Sequence, residues 1–377
     1  MAAGIRGARG GPQFGCSPLC GAFEGDEVGT VTRFMTAAVL YGKEDLKIEQ
    51  VPVPSLLPDE ALVRVRSALT CGTDLKVYRQ GYHAKMIVPP AIFGHELAGV
   101  VEQVGDEVDH IRKGMRVVAA NSAPCLDCRY CRRNQANLCE RLLFNNGAYA
   151  EFIRIPGRIV RQNLLEIPDH VDFPDAALVE PLACVLRGLE ATGLQPDDTF
   201  AIIGLGPVGL MFIRLAKLRG ARVIAIGKRQ SQLAVAQRMG ADEIVNITQV
   251  EDVVEEVRRR TLDGEGADVA VEAVGTPQTW EWVAGMVRRG GTVNLFGGCA
   301  SGSTVRLDTA RLHYSEITLK ASFHHTPAHI RKALDVISRG EIRAKDFITG
   351  EAPLTRLPEI LVHMLNRNGD LKTAIIP

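Results

Sequence analysis

A glycine-rich hexapeptide between a strand-like run and a helix-like run constrains this chain more than any other feature. Its sequence is Gly204-Leu205-Gly206-Pro207-Val208-Gly209, a G-x-G-x-x-G pattern that follows an apolar run over 200–203 and opens a helix-like run over 207–219. The first glycine permits a tight turn, the second lets the backbone approach a pyrophosphate, and the third lets helix and strand pack closely. The motif therefore predicts a βαβ unit that binds a dinucleotide, with the pyrophosphate at the positive end of the helix.

Strand-like and helix-like runs continue to alternate after this motif. The strand-like runs cover 200–203, 222–226, 243–245, 268–274, 292–296 and 316–321. Because strands that alternate with helices of about 10–15 residues form βαβ units, the pattern predicts an α/β fold with a doubly wound parallel sheet. Before residue 181 the sequence pattern is different. Short apolar runs are separated by Gly, Pro and Asp residues typical of turns, and they predict a part of the chain that is rich in β-strands.

The length and the charge of the chain limit the classes of function that it can have. A chain of 377 residues is expected to form two or three domains. Its 44 Lys+Arg balance 44 Asp+Glu, so no net positive charge attracts a nucleic-acid backbone. The longest uncharged apolar stretch, 200–213, contains three glycines and a proline and is too short to span a bilayer. We therefore expect neither a nucleic-acid partner nor a membrane partner.

The first 34 residues differ in composition from the rest. Eight of them are glycine, and a strand-like pattern begins only after Met35. Arg6 and Arg9 are followed by an acidic trio that starts at Glu24, which argues against a transit peptide. We expect residues 1–34 to be a disordered extension or to reflect a wrongly assigned start codon, with Met35 as the true first residue.

The end of the second predicted strand of the parallel sheet bears on which dinucleotide binds. An acidic residue at this place binds the ribose hydroxyls of NAD. The chain has Gly227-Lys228-Arg229 there instead, with two cations and no carboxylate to repel a 2′-phosphate. Lys228 and Arg229 therefore favour NADP over NAD. The alternative is a solvated basic turn beside a less selective NAD site.

Four cysteines lie within fifteen residues, at Cys125, Cys128, Cys131 and Cys139. The spacing C-x₂-C-x₂-C-x₇-C suits a tetrahedral Zn²⁺ ion, and four thiolates leave no open position, so the zinc would be structural. An iron–sulfur cluster is the alternative. Closely spaced cysteines chelate a metal more readily than they form disulfides in a reducing compartment, and no apolar signal segment is visible, so we expect a cytoplasmic protein.

A longer signature surrounds His95. The run Gly94-His95-Glu96-Leu97-Ala98-Gly99, continuing through Gly105 to Val108, reads G-H-E-x₂-G-x₅-G-x₂-V. From Met35 onward the chain resembles the zinc-dependent medium-chain dehydrogenase/reductase family, which has this zinc signature, then the cysteine lobe, then the glycine motif. The resemblance implies a GroES-like β-rich catalytic domain over 35–182 and 325–377, with the zinc lobe at 125–139. It also implies a Rossmann domain over 183–324 and a homodimer or homotetramer.

The resemblance further implies a catalytic zinc ion, and thus two zinc ions per chain. Cys71 and His95 look like its ligands. Glu96 and Glu180 look like nearby carboxylates, one or both of which coordinate the ion or hold its water. One thiolate, one imidazole and one carboxylate leave a fourth position for a substrate oxygen, which the zinc polarises so that hydride can pass to a nicotinamide.

Two residues near Cys71 take supporting roles by the same resemblance. Thr73 stands where the family places a hydroxyl that passes the alcohol proton toward solvent. Asp74 is expected to accept the second ring N–H of His95. For both, ordinary turn chemistry is the alternative.

Two positions differ from the residue that is frequent in close relatives, and one pair of adjacent histidines resembles a metal site. Lys76 and Arg187 stand where a His is frequent, which leaves the exit of the proton relay and the shape of the substrate pocket open. His324 and His325 suggest a metal site, but adjacent side chains on an extended strand point to opposite faces, so we expect these two imidazoles to point apart.

The function expected from these residues is a zinc-dependent oxidoreductase that transfers hydride between a secondary alcohol and NADP or NAD. We favour a polyol or sugar substrate because of Glu180-Pro181-Leu182, whereas Cys71-Gly72-Thr73-Asp74 leans toward an L-threonine 3-dehydrogenase. A catalytically inactive cofactor-binding relative is the alternative outside enzymes. Zinc-free quinone or enone reductases would lack Cys71, His95 and the cysteine lobe.

Overall fold

The computed structural model describes residues 32–83, 86–366 and 371–377. The expectation for residues 1–34 therefore falls almost wholly outside the described residues. The described residues from 34 onward form one unit. No helix in the described ranges is both long enough and apolar enough to span a lipid bilayer.

The strands in the described ranges are β1 (Phe34–Gly42), β2 (Asp45–Pro52), β3 (Ala61–Leu69), β4 (Ala91–Ile92), β5 (Leu97–Val104), β6 (Arg116–Ala119), β7 (Ser122–Ala123), β8 (Leu143–Phe144), β9 (Phe152–Ile155), β10 (Leu164–Glu166), β11 (Thr199–Ile203), β12 (Arg222–Gly227), β13 (Glu243–Asn246), β14 (Ala267–Glu272), β15 (Val287–Leu295), β16 (Thr318–Ala321), β17 (Ile348–Pro353) and β18 (Lys372–Ile376). The helices are α1 (Gly72–Gln80), α2 (Arg129–Arg132), α3 (Gly157–Asn163), α4 (Phe173–Ala177), α5 (Val179–Thr192), α6 (Pro207–Leu218), α7 (Gln230–Arg238), α8 (Val253–Arg259), α9 (Pro277–Met286), α10 (Thr309–Tyr314), α11 (Pro327–Ser338) and α12 (Leu357–Leu365).

The predicted parallel sheet is confirmed. Its strand order is β13-β12-β11-β14-β15-β16, and every neighbouring pair is parallel. Renumbered within the sheet, this order is 3-2-1-4-5-6, the doubly wound order in which a dinucleotide crosses the crevice where the strand order reverses. That crevice lies at the carboxyl ends of β11 and β14.

The first part of the chain is β-rich, as predicted, and the C-terminal strand completes it. The largest sheet there has the order β10-β6-β5-β3-β18-β17, with β9 also paired to β3. Strand β18 is antiparallel to β3, with Ala374 opposite Leu69. This pairing brings Lys372 from the end of the chain next to the residues that precede β5 and α1, where the candidate site lies.

Helix α5 joins the two kinds of sheet. It packs against α6 and α11, and Leu182, Leu186 and Leu189 form one buried stripe on it at intervals of four and three residues. The boundary predicted between residues 182 and 183 falls inside this helix, and the one between 324 and 325 falls in the connection from β16 to α11. Glu180 lies in the first turn of α5, a helix whose residues are mostly buried.

Candidate functional site

The structure brings together Cys71, His95 and Glu96. Cys71 is the N-cap of α1, where its Sγ accepts a hydrogen bond from the backbone N–H of Thr73 at 3.4 Å. His95 and Glu96 immediately precede β5, and one ligand atom from each of the three side chains lies within 4.8 Å of the others. The three side chains are therefore close enough to one another to bind a single metal ion.

Asp74 orients the imidazole of His95. Its Oδ1 lies 2.9 Å from Nδ1 of His95, while its Oδ2 accepts hydrogen bonds from Tyr149 Oη at 2.6 Å and from the Cys71 backbone N–H at 3.0 Å. Burial alone would lower the pKa of His95, but the neighbouring Asp74 carboxylate outweighs it and raises that pKa well above its usual value. With Nδ1 engaged, Nε2 of His95 is the nitrogen left for a metal. The sequence contained no signal for Tyr149.

Glu96 forms a buried ion pair that sequence reasoning missed. Both of its carboxylate oxygens accept hydrogen bonds from Lys372 Nζ, at 2.8 and 2.6 Å, and the same Nζ donates to Thr70 O at 3.0 Å. Burial raises the pKa of Glu96 despite the nearby ammonium. Lys372 belongs to no motif, so only the pairing of β18 with β3 reveals it.

Glu180 is buried near this group but gathers with different side chains. Among the described residues, its ligand atom groups with those of His324 and His325 rather than with those of Cys71, His95 and Glu96. Burial raises the pKa of Glu180 to about 7. The thiol of Cys184, one turn further along α5, lies 3.9 Å from Glu180 Oε1.

The expectation that the two adjacent histidines point apart is wrong. The ring centroids of His324 and His325 are 4.0 Å apart, with an angle of 34° between the ring planes. His324 has a φ of +65°, in the left-handed region, so the alternation of side chains along an extended strand does not apply to it. The left-handed residue turns both imidazoles to the same side, beside Glu180.

Thr73 and Lys76 both lie on α1, beside the crevice. Thr73 contacts Cys71 through its backbone N–H, as described above. Lys76 Nζ donates a hydrogen bond to Gly298 O at 3.3 Å, in the loop that follows β15. Arg187, the other departure from close relatives, donates to Phe323 O at 3.2 Å. Lys76 therefore contacts the loop after β15, and Arg187 contacts the segment before His324.

The four-cysteine lobe has the geometry of a tetrathiolate site. One sulfur from each of Cys125, Cys128, Cys131 and Cys139 lies within 4.8 Å of the others. Backbone N–H groups point at the sulfurs, at 3.2 Å for Cys125 N to Cys139 Sγ and 3.3 Å for Cys128 N to Cys125 Sγ. The backbone N–H of Asp127 is the main cause that lowers the pKa of Cys125 to about 6, whereas burial raises the pKa values of Cys131 and Cys139 above that of a free thiol.

The glycine motif forms a cradle at the carboxyl end of β11. Gly204 has a φ of +103°, and a Cβ there would lie 2.9 Å from backbone atoms of Ala273. A Cβ on Gly209 would lie 1.8 Å from Gly204 O. The helix therefore packs against the turn so closely that only glycine fits at position 209. A Cβ on Gly206 would meet no described atom within 4 Å. The open space at Gly206, above the first turn of α6, is what a pyrophosphate needs.

The basic pair predicted to select the nucleotide lies at the expected edge of the sheet. Lys228 is exposed and Arg229 is half-buried at the N-cap of α7, directly after β12. Glu272, at the end of β14, holds the neighbouring loop through its Oε1, which accepts from the backbone N–H groups of Val274 and Gly275 at 2.8 Å. These residues border the crevice on either side of β11.

Comparison with known proteins identifies the matching family models. Residues 57–169 match the model described as the alcohol dehydrogenase GroES-like domain, and residues 207–339 match the one described as zinc-binding dehydrogenase. The chain is 33% identical to the sorbitol dehydrogenase of Bacillus subtilis, over 92% of this chain and 99% of that protein. It is 32% identical to the L-idonate 5-dehydrogenase of Vitis vinifera, over 83% of this chain and 86% of that protein.

Solved structures agree with these relatives. A zinc-binding dehydrogenase from Sinorhizobium meliloti 1021, bound to NADP, superposes with a TM-score of 0.84 at 29% identity. The superposition covers 92% of this chain and 100% of that one.

Proposed function

The chain belongs to the zinc-dependent medium-chain dehydrogenase/reductase family, and from this premise we propose that it oxidises a secondary alcohol of a polyol or sugar, transferring hydride to NADP in preference to NAD. The observation that carries the proposal is the convergence of Cys71, His95 and Glu96, with Asp74 on the far nitrogen of His95. A thiolate, an imidazole and a carboxylate are the donor set of a catalytic zinc site with an open position.

Each residue of this group has a definite task in the proposal. Cys71, His95 and Glu96 hold the zinc ion, while Asp74 keeps the proton on Nδ1 of His95 and Lys372 orients the Glu96 carboxylate. When bound, the ion supplies a Lewis acid that polarises the oxygen of the alcohol or carbonyl.

Two further groups handle the proton of the alcohol. Thr73, on the first turn of α1, offers the hydroxyl that passes this proton toward solvent. Glu180 faces the same group from α5, and its pKa of about 7 lets its carboxylate hold a proton or release it near neutrality.

The cofactor assignment rests on the cradle and on its charge. The backbone at Gly204, Gly206 and Gly209, with Pro207 and Val208 opening α6, receives the pyrophosphate. Lys228 and Arg229, where no carboxylate stands, receive the 2′-phosphate of NADP. Reduction of NAD at the same rate as NADP would count against this part of the proposal alone.

The second zinc is proposed to be structural. Cys125, Cys128, Cys131 and Cys139 fill all four positions of a tetrahedral ion, which leaves none for a substrate. With the catalytic ion this makes two zinc ions per chain. We also propose that the chain works as a homodimer or homotetramer in the cytoplasm. The catalytic domain in this proposal spans 35–182 and 325–377, and the dinucleotide-binding domain spans 183–324.

A substrate screen with zinc analysis tests the proposal. The purified chain is assayed with sorbitol, L-idonate, L-threonine and 2-butanol, each with NADP and with NAD, while its zinc is measured. We expect nucleotide reduction with a polyol or sugar compound. A Cys71→Ser protein should lose one zinc and about 10²-fold or more in kcat/KM, because Lewis-acid polarisation is worth several kcal/mol. Zinc-loaded protein that reduces neither nucleotide with any compound contradicts the proposal, and a preference for L-threonine would shift it to the amino-alcohol alternative.

A further inference from the structure

The segment that connects β16 to α11 carries two imidazoles for which the proposed reaction has no use. His325 is 2% exposed, and His324 is half-buried. Side chains from the β-rich part hold both rings. His324 Nε2 lies 2.5 Å from Ser122 Oγ, and His325 Nε2 lies 3.0 Å from Asn121 Oδ1.

A carboxylate completes this pair. One ligand atom from each of His324, His325 and Glu180 lies within 4.8 Å of the others, and the closest atoms of the His325–Glu180 pair are 3.8 Å apart. The three side chains come from two elements, the first turn of α5 and the β16–α11 connection. The left-handed backbone of His324 is what aligns the two rings.

One ring nitrogen of His325 is held by a side chain from the β-rich part, and the other has no partner among the described residues. Asn121 Oδ1 is an acceptor, so it fixes the ring proton of His325 on Nε2. Nδ1 of His325 is then a bare lone pair, and it is buried with no hydrogen-bond partner among the described residues. A buried ring nitrogen without a partner is a donor atom that a cation can use, and it belongs to a ring whose Nε2 lies 3.8 Å from Glu180 Oε1.

Charge also favours a cation at this place. The carboxylate of Glu96 is paired with Lys372 and that of Asp74 with His95, whereas the basic side chain that lies within 4 Å of Glu180 in the described structure is His325, at 3.8 Å. A carboxylate that is 8% exposed and has no closer basic partner there gains a counter-charge when a cation binds.

We propose that Glu180, His324 and His325 form a second divalent-metal site beside the Cys71 group, which binds a zinc ion in addition to those of the proposed catalytic and cysteine sites. Two imidazoles and one carboxylate are a donor set that suits Zn²⁺ and leave one position open. The site shares Glu180 with the proposed reaction, but its metal binding is measured without any substrate or nucleotide.

Metal binding by the full chain tests the site without any substrate. Zinc per chain is measured by equilibrium dialysis at free Zn²⁺ from about 1 nM to about 100 µM, a range that separates structural sites from weak ones. His324→Phe keeps a ring against Phe144 and Phe323, whose centroids are 5.5 Å from that of His324, and removes one ligand. His325→Gln removes the other imidazole. His329→Gln is the matched control, because His329 lies on α11 and contacts Thr326 and Glu190 instead.

We expect the wild-type chain and His329→Gln to bind one more zinc per chain than His324→Phe and His325→Gln do at the same free Zn²⁺. The affinity of the extra ion should fall at least about 100-fold in the two ligand variants, beyond the 10–100-fold cost of losing an outer-shell partner. The unfolding temperature of each variant is recorded, and Co²⁺ absorption provides a second readout of the ligand set. Equal zinc content in the wild type and in folded His324→Phe would overturn the site, whatever the total number of ions.

Discussion

Lys372 Nζ lies 2.6 Å from Glu96 Oε2, in an ion pair that is buried on both sides and joins residues 276 positions apart in the chain. It fastens the last strand to the residues before β5. Burying two charges costs free energy that only a close, hydrogen-bonded partner offsets, so each charge depends on the other. The pair also fixes the carboxylate that stands beside Cys71 and His95.

Removing this lysine should destabilise the fold. We expect Lys372→Met to lower the free energy of unfolding by about 3–5 kcal/mol, because it leaves the Glu96 carboxylate buried without its partner. Urea denaturation measures the change. Lys332→Met is the control: its pair with Glu190 is largely exposed and should contribute less than about 1 kcal/mol. If both variants lost the same free energy of unfolding, the buried ion pair would contribute no more to stability than the exposed one.

Asp74 should control zinc affinity at the Cys71 group. Asp74→Asn removes the carboxylate that lies 2.9 Å from His95 Nδ1, and we expect a 10–100-fold weaker catalytic zinc site, measured by competition with a chelator. Asp109→Asn changes the equivalent contact of an exposed pair, Asp109 with His110, and should leave zinc affinity unchanged. Unaltered affinity in Asp74→Asn would mean that this contact does not orient a ligand.

The basic turn after β12 should discriminate between the nucleotides. Arg229→Ala is expected to raise the KM for NADP by about 10–100-fold, the equivalent of one hydrogen bond to a charged group, while the KM for NAD stays nearly constant. Arg238→Ala, at the far end of the same helix α7, serves as the control. An unchanged ratio of the two KM values would refute the interpretation of this turn.

Two glutamates on α5 should give opposite pH dependence of stability. Burial raises the pKa of Glu180 to about 7, so the folded state binds a proton that the unfolded state has already released above its ordinary pKa of 4.5. Stability associated with Glu180 therefore falls as the pH rises from about 4.5 to about 7, by a few kcal/mol. Glu180→Gln should be more stable than the wild type at pH 8 and lose that advantage at pH 4.5.

The stability associated with Glu190 should change with pH in the opposite direction. Burial opposes ionisation of Glu190, but hydrogen bonds from Lys332 and His329 outweigh it and lower its pKa. Its contribution is present above its unfolded pKa and is lost as the pH falls, so Glu190→Gln should be less stable than the wild type at neutral pH. Both comparisons are made by denaturation of metal-depleted protein, because a bound cation would itself lower the pKa of Glu180. If both substitutions changed the stability at neutral pH in the same direction, the opposite pKa shifts of Glu180 and Glu190 would be contradicted.

Excess zinc should inhibit the proposed reaction. An ion bound by Glu180, His324 and His325 engages the carboxylate that is proposed to handle the substrate proton, so kcat/KM should fall as free Zn²⁺ fills this site. The inhibition constant should match the affinity found by dialysis and rise at least about 100-fold in His324→Phe. Initial rates at buffered free Zn²⁺ measure it, with His329→Gln as control. Inhibition of equal strength in His324→Phe would place the inhibitory ion elsewhere.

Local patterns in the sequence predicted the parts of this protein that are local in space. The parallel sheet follows from alternating runs whose order is visible along the chain, and the glycines of 204–209 act within one turn. The sulfurs of the cysteine lobe gather because their residues lie within fifteen positions. The two adjacent histidines were the exception, since a single left-handed residue at His324 reversed the expected direction of one ring.

By itself the sequence determined the α/β architecture, the dinucleotide cradle and the residue types able to bind metal, because periodicity, glycine and ligand spacing act over a few residues. Only the tertiary structure decided which carboxylate meets which partner: Glu96 with Lys372 through the pairing of β18 and β3, and Glu180 with His324 and His325 through the packing of α5 and α11. Distances between residues so far apart in the chain depend on how whole strands and helices pack, and no local pattern encodes them.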